Sequence, residues 1–251
     1  MPQVNCLILA GLGLNCEDET AQAFELCGAK VQLRHVNDLI AAPKQLQQFQ
    51  IFVIPGGFSF GDQLGAGLAL ARKLEHKLLP ELRKFSQAEK LILGICNGFQ
   101  VLLNLGIFSG FQPEAALLTN AFPRYLCQSV SLRVTSKQCV WLKNLTNLDL
   151  PLASGEGRFY APPQVLQKIQ RQHQIALQYV DNPNGSVADI AGICDPTGRI
   201  LGLMPHPERN FWFHQRPDFC FQKEKFLRLK QSCPQFSIGK KIFENAITFF
   251  E

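Results

Sequence analysis

No apolar run in this chain approaches the roughly 20 residues that a membrane-spanning helix needs. The longest such runs are of strand length. No positively charged segment followed by an apolar stretch opens the sequence, so no secretory signal is read. The expected compartment is the cytoplasm, with no membrane partner. CxxC pairs are missing too. The nine cysteines, Cys6, Cys16, Cys27, Cys96, Cys127, Cys139, Cys194, Cys220 and Cys233, stand singly. Their scatter and odd number argue against a disulfide framework and against a structural zinc site. Most read as small core hydrophobes.

A basic stripe is lacking as well. The net charge of +5 is spread along the chain, and the densest patch, KEKFLRLK (223–230), mixes an acid and apolar residues at helical spacing. That patch reads as a solvated helix face, and nucleic acid is not expected as a partner. No GxxxxGK[ST] phosphate loop occurs. Internal repeats, low-complexity runs and an interdomain linker are also absent, so residues 1–251 are expected to form one domain.

Hydrophobic residues make up 46% of the chain and charged residues 18%, a globular composition. The N-terminal part alternates apolar runs with helix-like segments. VNCLILAG (4–11), KVQLRHV (30–36), FQIFVIPGG (49–57) and LILGI (91–95) read as strands. Residues 17–28 read as a helix, with Asn15 as a candidate N-cap and Gly28 as a candidate C-cap. Residues 62–85 look helical with an interruption at Pro80, and another helix starts at Asn97. This alternation predicts an α/β fold, a mainly parallel sheet flanked by helices. SVSLRV (129–134) and QIALQYV (174–180) suggest antiparallel strands added at its edge. RILGLMPH (199–206) returns to a buried strand, and residues 218–251 look mostly helical with a break near Cys233-Pro234.

One cysteine stands apart. In LILGICNGFQ (91–100), Cys96 lies between Gly94 and Gly98 where a strand gives way to a helix. Gly-x-Cys-x-Gly at such a junction is the thiol form of a nucleophile elbow, in which small neighbours permit a sharp turn. The helix N-terminus favours a thiolate there. The N–H of Asn97 is placed to act as an oxyanion donor. Gln100, one helical turn on, can face the same pocket.

A thiol nucleophile needs a base. His206 ends the strand RILGLMPH, so in a parallel sheet it should emerge at the same carboxyl edge as Cys96. Prolines at 205 and 207 restrict its backbone, and Glu208 follows by two residues. An extended chain would set both side chains on one face, the carboxylate orienting the imidazole. His35, His76, His173 and His214 lack such surroundings. In IPGGFSFGD (54–62) consecutive glycines after a strand suit a second oxyanion donor at Gly57. GLG (11–13) is no dinucleotide fingerprint, because Cys16 occupies the third glycine position.

GICNGFQ with PHPER resembles the class I (triad) glutamine amidotransferases. PGGFSFGD, SGEGRF (154–159), NPNGS (182–186) and IAGICD (190–195) narrow that likeness to the glutaminase subunits of a purine-biosynthetic ligase. The resemblance implies a flavodoxin-like glutamine amidotransferase domain that hydrolyses glutamine and hands ammonia to a separate large synthetase subunit. A small bridging subunit is a further partner it allows. It implies Cys96 as nucleophile, His206 as base, Glu208 as its orienter, Gly57 and Asn97 as oxyanion donors, and Gln100 as a shaper of the glutamine site. No cofactor is implied on this chain: ATP and Mg belong to the synthetase, which aminates formylglycinamide ribonucleotide. The chain opens at Met1 and is expected to be a separate subunit rather than the end of a fused enzyme. Two departures stand out: Ser154 where the family usually has His before GEGR, and Gln63-Leu64-Gly65 where it often has Tyr-Leu-Arg. A scaffold that has kept the fold and an autonomous cysteine hydrolase are the alternative readings; the intact Cys96, His206 and Glu208 disfavour the first, and PHPE with NPNGS the second.

Overall fold

The computed structural model describes residues 3–108 and 114–251. Its first half runs β1 (Asn5–Ala10), α1 (Glu17–Leu26), β2 (Lys30–His35), α2 (Val36–Ala41), β3 (Ile51–Ile54), α3 (Leu68–Glu75), α4 (Leu79–Gln87), β4 (Leu91–Ile95) and α5 (Asn97–Asn104). The second half adds β5 (Ala116–Thr119), β6 (Leu126–Val134), β7 (Asn147–Ser154), β8 (Glu156–Tyr160), α6 (Pro163–Arg171), β9 (Ile175–Tyr179), β10 (Ile190–Cys194), β11 (Ile200–Leu203), α7 (Phe219–Arg228) and α8 (Lys240–Thr248).

Nine strands form one sheet in the order β2-β1-β3-β4-β11-β10-β9-β6-β7, and β5 pairs with β8 in a separate ribbon. Strands β2, β1, β3, β4 and β11 are mutually parallel. From β11 outward every pairing is antiparallel. The flavodoxin-like parallel half and the added antiparallel strands therefore agree with the sequence pattern. The reason is burial. Every residue of β3, β4 and β11 is buried, as a strand covered by helices on both faces requires. β2, at the edge, leaves Lys30, Gln32, Leu33 and His35 exposed, and a charged edge resists further pairing.

α5 is the innermost helix, with every residue but Asn104 buried. Phe99 meets Phe108 edge-on at 5.9 Å, and each such fully buried side chain contributes roughly 1.5–3 kcal/mol. Elsewhere α1 and α8 pack through Phe24 and Phe243, ring centroids 5.0 Å apart.

Local details differ from the sequence expectation. The break in the 62–85 segment precedes Pro80, which sits in the first turn of α4, where its missing N–H costs nothing. Asp62 ends a 3₁₀ turn (Ser59–Asp62), and residues 63–67 are not helical, with positive φ at Gly65 and Gly67. The N-cap of α1 is Cys16, not Asn15, and Gly28 lies one residue past the C-cap, with φ 97°. α2, α6 and strands β5, β7, β8 and β10 were not anticipated. Cys127, Cys220 and Cys233 are exposed, so they are not core residues. α7 buries none of its residues, and its exposed face includes Phe221 and Leu227 as well as charges.

Candidate active site

The loops after β1, β3, β4 and β11 all leave the carboxyl edge of the parallel strands, where ligands bind in open α/β sheets. Cys96 follows β4 directly, with φ 50° and ψ −106°, and caps the N-terminus of α5. A non-glycine residue in that region is strained, and such strain concentrates at functional positions. The neighbouring backbones hold it there. The N–H of Cys96 donates to Leu203 O at 2.8 Å, and Sγ lies 3.6 Å from Ala153 O at the end of β7. Gly98 is needed because a Cβ at that position would overlap Ile54 O.

His206 comes three residues after β11, which runs parallel to β4. Its N–H donates to Pro151 O at 2.7 Å. Its Nδ1 lies 2.5 Å from Glu208 Oε1, and both side chains are buried. The expected partnership is present, but an extended chain does not make it. Pro207 is helical and residues 208–210 form a tight 3₁₀ turn that brings the carboxylate back to the ring. Burial by itself would lower the imidazole pKa. That is the largest single effect, but the negative charge of Glu208, then Cys96 and Cys16, together outweigh it, and the net shift is well upward. The site thus favours an imidazolium.

The segment after β3 is strapped to the segment after β1. Asn15 and Cys16 donate their N–H groups to Gly56 O, at 3.1 and 3.2 Å, and Phe58 N–H donates to Gly13 O at 2.8 Å. A Cβ on Gly56 would lie 2.7 Å from His206 Cε1. The double glycine therefore lets the chain pass against the imidazole. Gly57 has φ 153°, and a side chain there would run into Gly13 O at 2.5 Å.

Asn97 and Gln100 are buried on the first turn of α5. Asn97 Oδ1 accepts from Ser59 N–H at 3.1 Å, and its Nδ2 donates to Gln100 Oε1 at 2.8 Å and to Asp62 Oδ1 at 3.3 Å. Gln100 Nε2 makes a short bond to Glu156 O. The Gln100 amide is thus engaged inside the wall of the site. Ser154 ends β7 one residue after Ala153, and its buried Oγ has no hydrogen-bond partner among the described residues.

Sequence reasoning missed Cys16 and Arg209. The Cys16 thiol, at the start of α1, also reaches His206. It accepts from Arg209 Nη2 at 3.0 Å and donates to Asn15 Oδ1 at 3.3 Å. Burial is the main cause that pushes this thiol pKa up. The available signal was positional: Cys16 also stands between a strand of the parallel set and the helix that follows it. Donor atoms of Cys16, His206 and Glu208 lie within 4.8 Å of one another, a spacing a metal ion could bridge. Their wiring is different, since Arg209 caps the sulfur and Glu208 occupies Nδ1.

A thiol on a strand-to-helix elbow beside a carboxylate-bound histidine, on this sheet, is the arrangement of a class I glutamine amidotransferase. A model of the CobB/CobQ-like glutamine amidotransferase domain matches residues 3–250. The phosphoribosylformylglycinamidine synthase subunit PurQ of Methanococcus maripaludis strain C5 is 42% identical, over 97% of each chain. The subunit of the same name from Dehalococcoides mccartyi is 38% identical, over 98% of each. Among solved structures, PurLQS from Thermotoga maritima superposes with a TM-score of 0.76 at 27% identity over the whole of both chains. A putative GMP synthase subunit from Thermoplasma acidophilum, at 13% identity, TM-score 0.59 and coverage of 99% and 95%, shares the fold. The chain belongs to the CobB/CobQ-like glutamine amidotransferases and, within them, to the PurQ subunits of phosphoribosylformylglycinamidine synthase.

Proposed function

We propose that this chain is the glutaminase subunit of a phosphoribosylformylglycinamidine synthase and that Cys96, His206 and Glu208 carry its chemistry, within one domain spanning residues 1–251. The observation that carries the reading is the buried His206–Glu208 pair, 2.5 Å apart, at the sheet edge that bears the Cys96 elbow. The names of its relatives support it.

His206 takes the thiol proton of Cys96, and Glu208 stabilises the resulting imidazolium. The thiolate attacks the side-chain amide carbon of glutamine. The N–H groups of Asn97 and Gly57 receive the charge that develops on oxygen. His206 then protonates the departing nitrogen, and ammonia leaves a γ-glutamyl thioester on Cys96. His206 next takes a proton from water, the hydroxide adds to the thioester, and glutamate departs from the regenerated thiol. Ammonia passes to a large synthetase subunit that aminates formylglycinamide ribonucleotide with ATP and Mg. The PurLQS assembly from Thermotoga maritima supports such a partner and a third, small subunit. Among the described residues no helix is long and apolar enough to cross a membrane, and we place the protein in the cytoplasm with that synthetase.

The test is glutamate release from glutamine with the large synthetase subunit present, comparing wild type, Cys96→Ala and Cys16→Ala. Activity lost with Cys96 and kept without Cys16 is the expected result. Full activity in Cys96→Ala would remove the assigned nucleophile, and no release from the assembled wild type would favour a scaffold.

A further inference from the structure

The segment that joins β3 to α3 is held in an unusual backbone shape. Phe60, Gly61, Asp62, Gly65 and Gly67 all have positive φ. For Phe60 that conformation costs roughly 1–2 kcal/mol, and for Asp62, whose short polar side chain tolerates it better, less. Such a run persists only where its surroundings over-determine it. Here the surroundings are two amide donors of the segment and two acids. Ser59 N–H donates to Asn97 Oδ1 at 3.1 Å and Ala66 N–H donates to Glu156 Oε2 at 3.0 Å. Asp62 Oδ1 accepts from Asn97 Nδ2 at 3.3 Å, and the Gly67 N–H acts on the same carboxylate to hold its pKa down.

These bonds close a ring. Gly57 lies at one end of the segment, and Asn97, next to Cys96, lies across from it. Asn97 is grasped by Ser59, Asp62 and Gln100, and Gln100 is tied in turn to the backbone of Glu156. At the far end Gly67 packs so closely on α5 that a Cβ there would lie 2.8 Å from Val101 N. The mechanism above uses no side chain of this ring, yet both of its oxyanion N–H groups are mounted on it.

We propose that Asp62, with Glu156 behind it, is a positioning residue for the glutaminase reaction: it locks the Asn97 amide so that the N–H groups of Gly57 and Asn97 stay aimed at one oxygen. This rests on the reading of Cys96 as the nucleophile. Two observations fit a role tied to ionisation. Burial and then the charge of Glu156 raise the Asp62 pKa to about 6, against the Gly67 N–H and Asn97 amide, which lower it. Glu156, on β8, is the charged group that faces it, and Asn97 on α5 and the Gly67 backbone supply the polar contacts. The ionised carboxylate accepts both donors. Once protonated it carries a hydrogen that has to find an acceptor of its own, and the grip on Asn97 loosens.

The experiment compares wild type, Asp62→Asn and Glu156→Gln in complex with the large synthetase subunit. Asp62→Asn should lower kcat for glutamine hydrolysis by about ten- to a hundredfold, the cost of a slightly misplaced catalytic group, with little change in KM. The wild-type profile should fall below about pH 6. That limb should be absent in Asp62→Asn and moved to lower pH in Glu156→Gln. Alkylation of Cys96 by iodoacetamide should be unaffected by either change, because the thiol and His206 lie outside the ring. Exchange of the Ser59 and Ala66 amide protons, measured on the chain itself, should quicken in Asp62→Asn. Unchanged kcat and an unchanged acid limb, or a loss of kcat that tracks only the unfolded fraction, would overturn the proposal. If wild type releases no glutamate at all, the reading of Cys96 fails, and amide exchange decides the role of Asp62: unchanged exchange overturns it.

Discussion

Arg209 Nη2 lies 3.0 Å from Cys16 Sγ, joining the turn that carries Glu208 to the start of α1 across 193 residues of sequence. The contact places a second thiol beside the His206 imidazole. Cys16 accepts from a fixed cation, donates to Asn15 Oδ1, and is pushed towards the neutral thiol by burial. Cys96 instead stands on the strained elbow that caps an eight-residue helix, with Sγ 3.6 Å from Ala153 O.

Cys16→Ser should therefore keep glutamine turnover within about tenfold of wild type, ~1.4 kcal/mol of barrier. Cys96→Ser should lose nearly all of it. Steady-state glutamate release by the two assembled variants is the measurement. A Cys16→Ser variant as dead as Cys96→Ser would mean that the thiol at 16 takes part in the chemistry.

Glu208 carries more than orientation. His206 is buried, and burial alone would strip its proton; the carboxylate 2.5 Å away is the largest of the groups that oppose this, with Cys96 and Cys16 behind it. Glu208→Gln keeps the shape and removes the charge. Turnover should drop about ten-thousandfold, as when a triad carboxylate becomes an amide. The His206 pKa should move down, because the largest group opposing desolvation is then gone. Titration of the ring by NMR in Cys96→Ala, with and without Glu208→Gln, isolates this shift.

The parts of the site legible in the sequence were those set by the backbone rule of α/β sheets. Cys96 after β4 and His206 after β11 had to meet, since both strands are buried, parallel and end at the same edge. The Glu208 contact was anticipated with the wrong geometry: an extended chain was expected, whereas Pro207 adopts helical angles and a turn closes the gap. Cys16, Arg209 and the Asp62–Asn97–Glu156 ring were not legible. Their contacts span between 35 and 193 residues and depend on how three loops fold over one another. No local period or motif encodes that. β5 and β8 form a small ribbon of four and five residues: β5 has no buried residue, and the alternation of β8 is too short to read as a strand.

Asp62 also predicts a pH dependence of stability. Its pKa of about 6 in the fold exceeds that of a solvated aspartate, so the native state holds a proton that the unfolded chain has released. Its contribution is present in full below about pH 4 and is lost as the pH rises to about 6. The group is half exposed, and after discounting for solvent the loss is about 1 kcal/mol. Denaturant unfolding of wild type and Asp62→Asn between pH 4 and pH 8 should show wild type losing ground over that interval. A parallel pair of curves would mean that Asp62 titrates as an ordinary aspartate.

Gly98 offers a test of the elbow that involves no ionisable group. A methyl at that position would collide with the Ile54 carbonyl, and neither backbone can give way freely: β3 is paired on both sides, and α5 is buried along its length. Gly98→Ala should destabilise the fold by about 2–3 kcal/mol, as overpacked cores do. For a chain of 251 residues that is a drop in Tm of about 2–4 °C per kcal/mol. The strain is released by moving the first turn of α5, which carries Cys96 and the Asn97 N–H. Turnover per folded molecule should therefore fall as well, by about tenfold or more. Thermal unfolding and glutaminase activity at a temperature where the variant is fully folded separate the two effects. A variant that is less stable but turns over glutamine at the wild-type rate would show that the elbow geometry survives displacement of its helix.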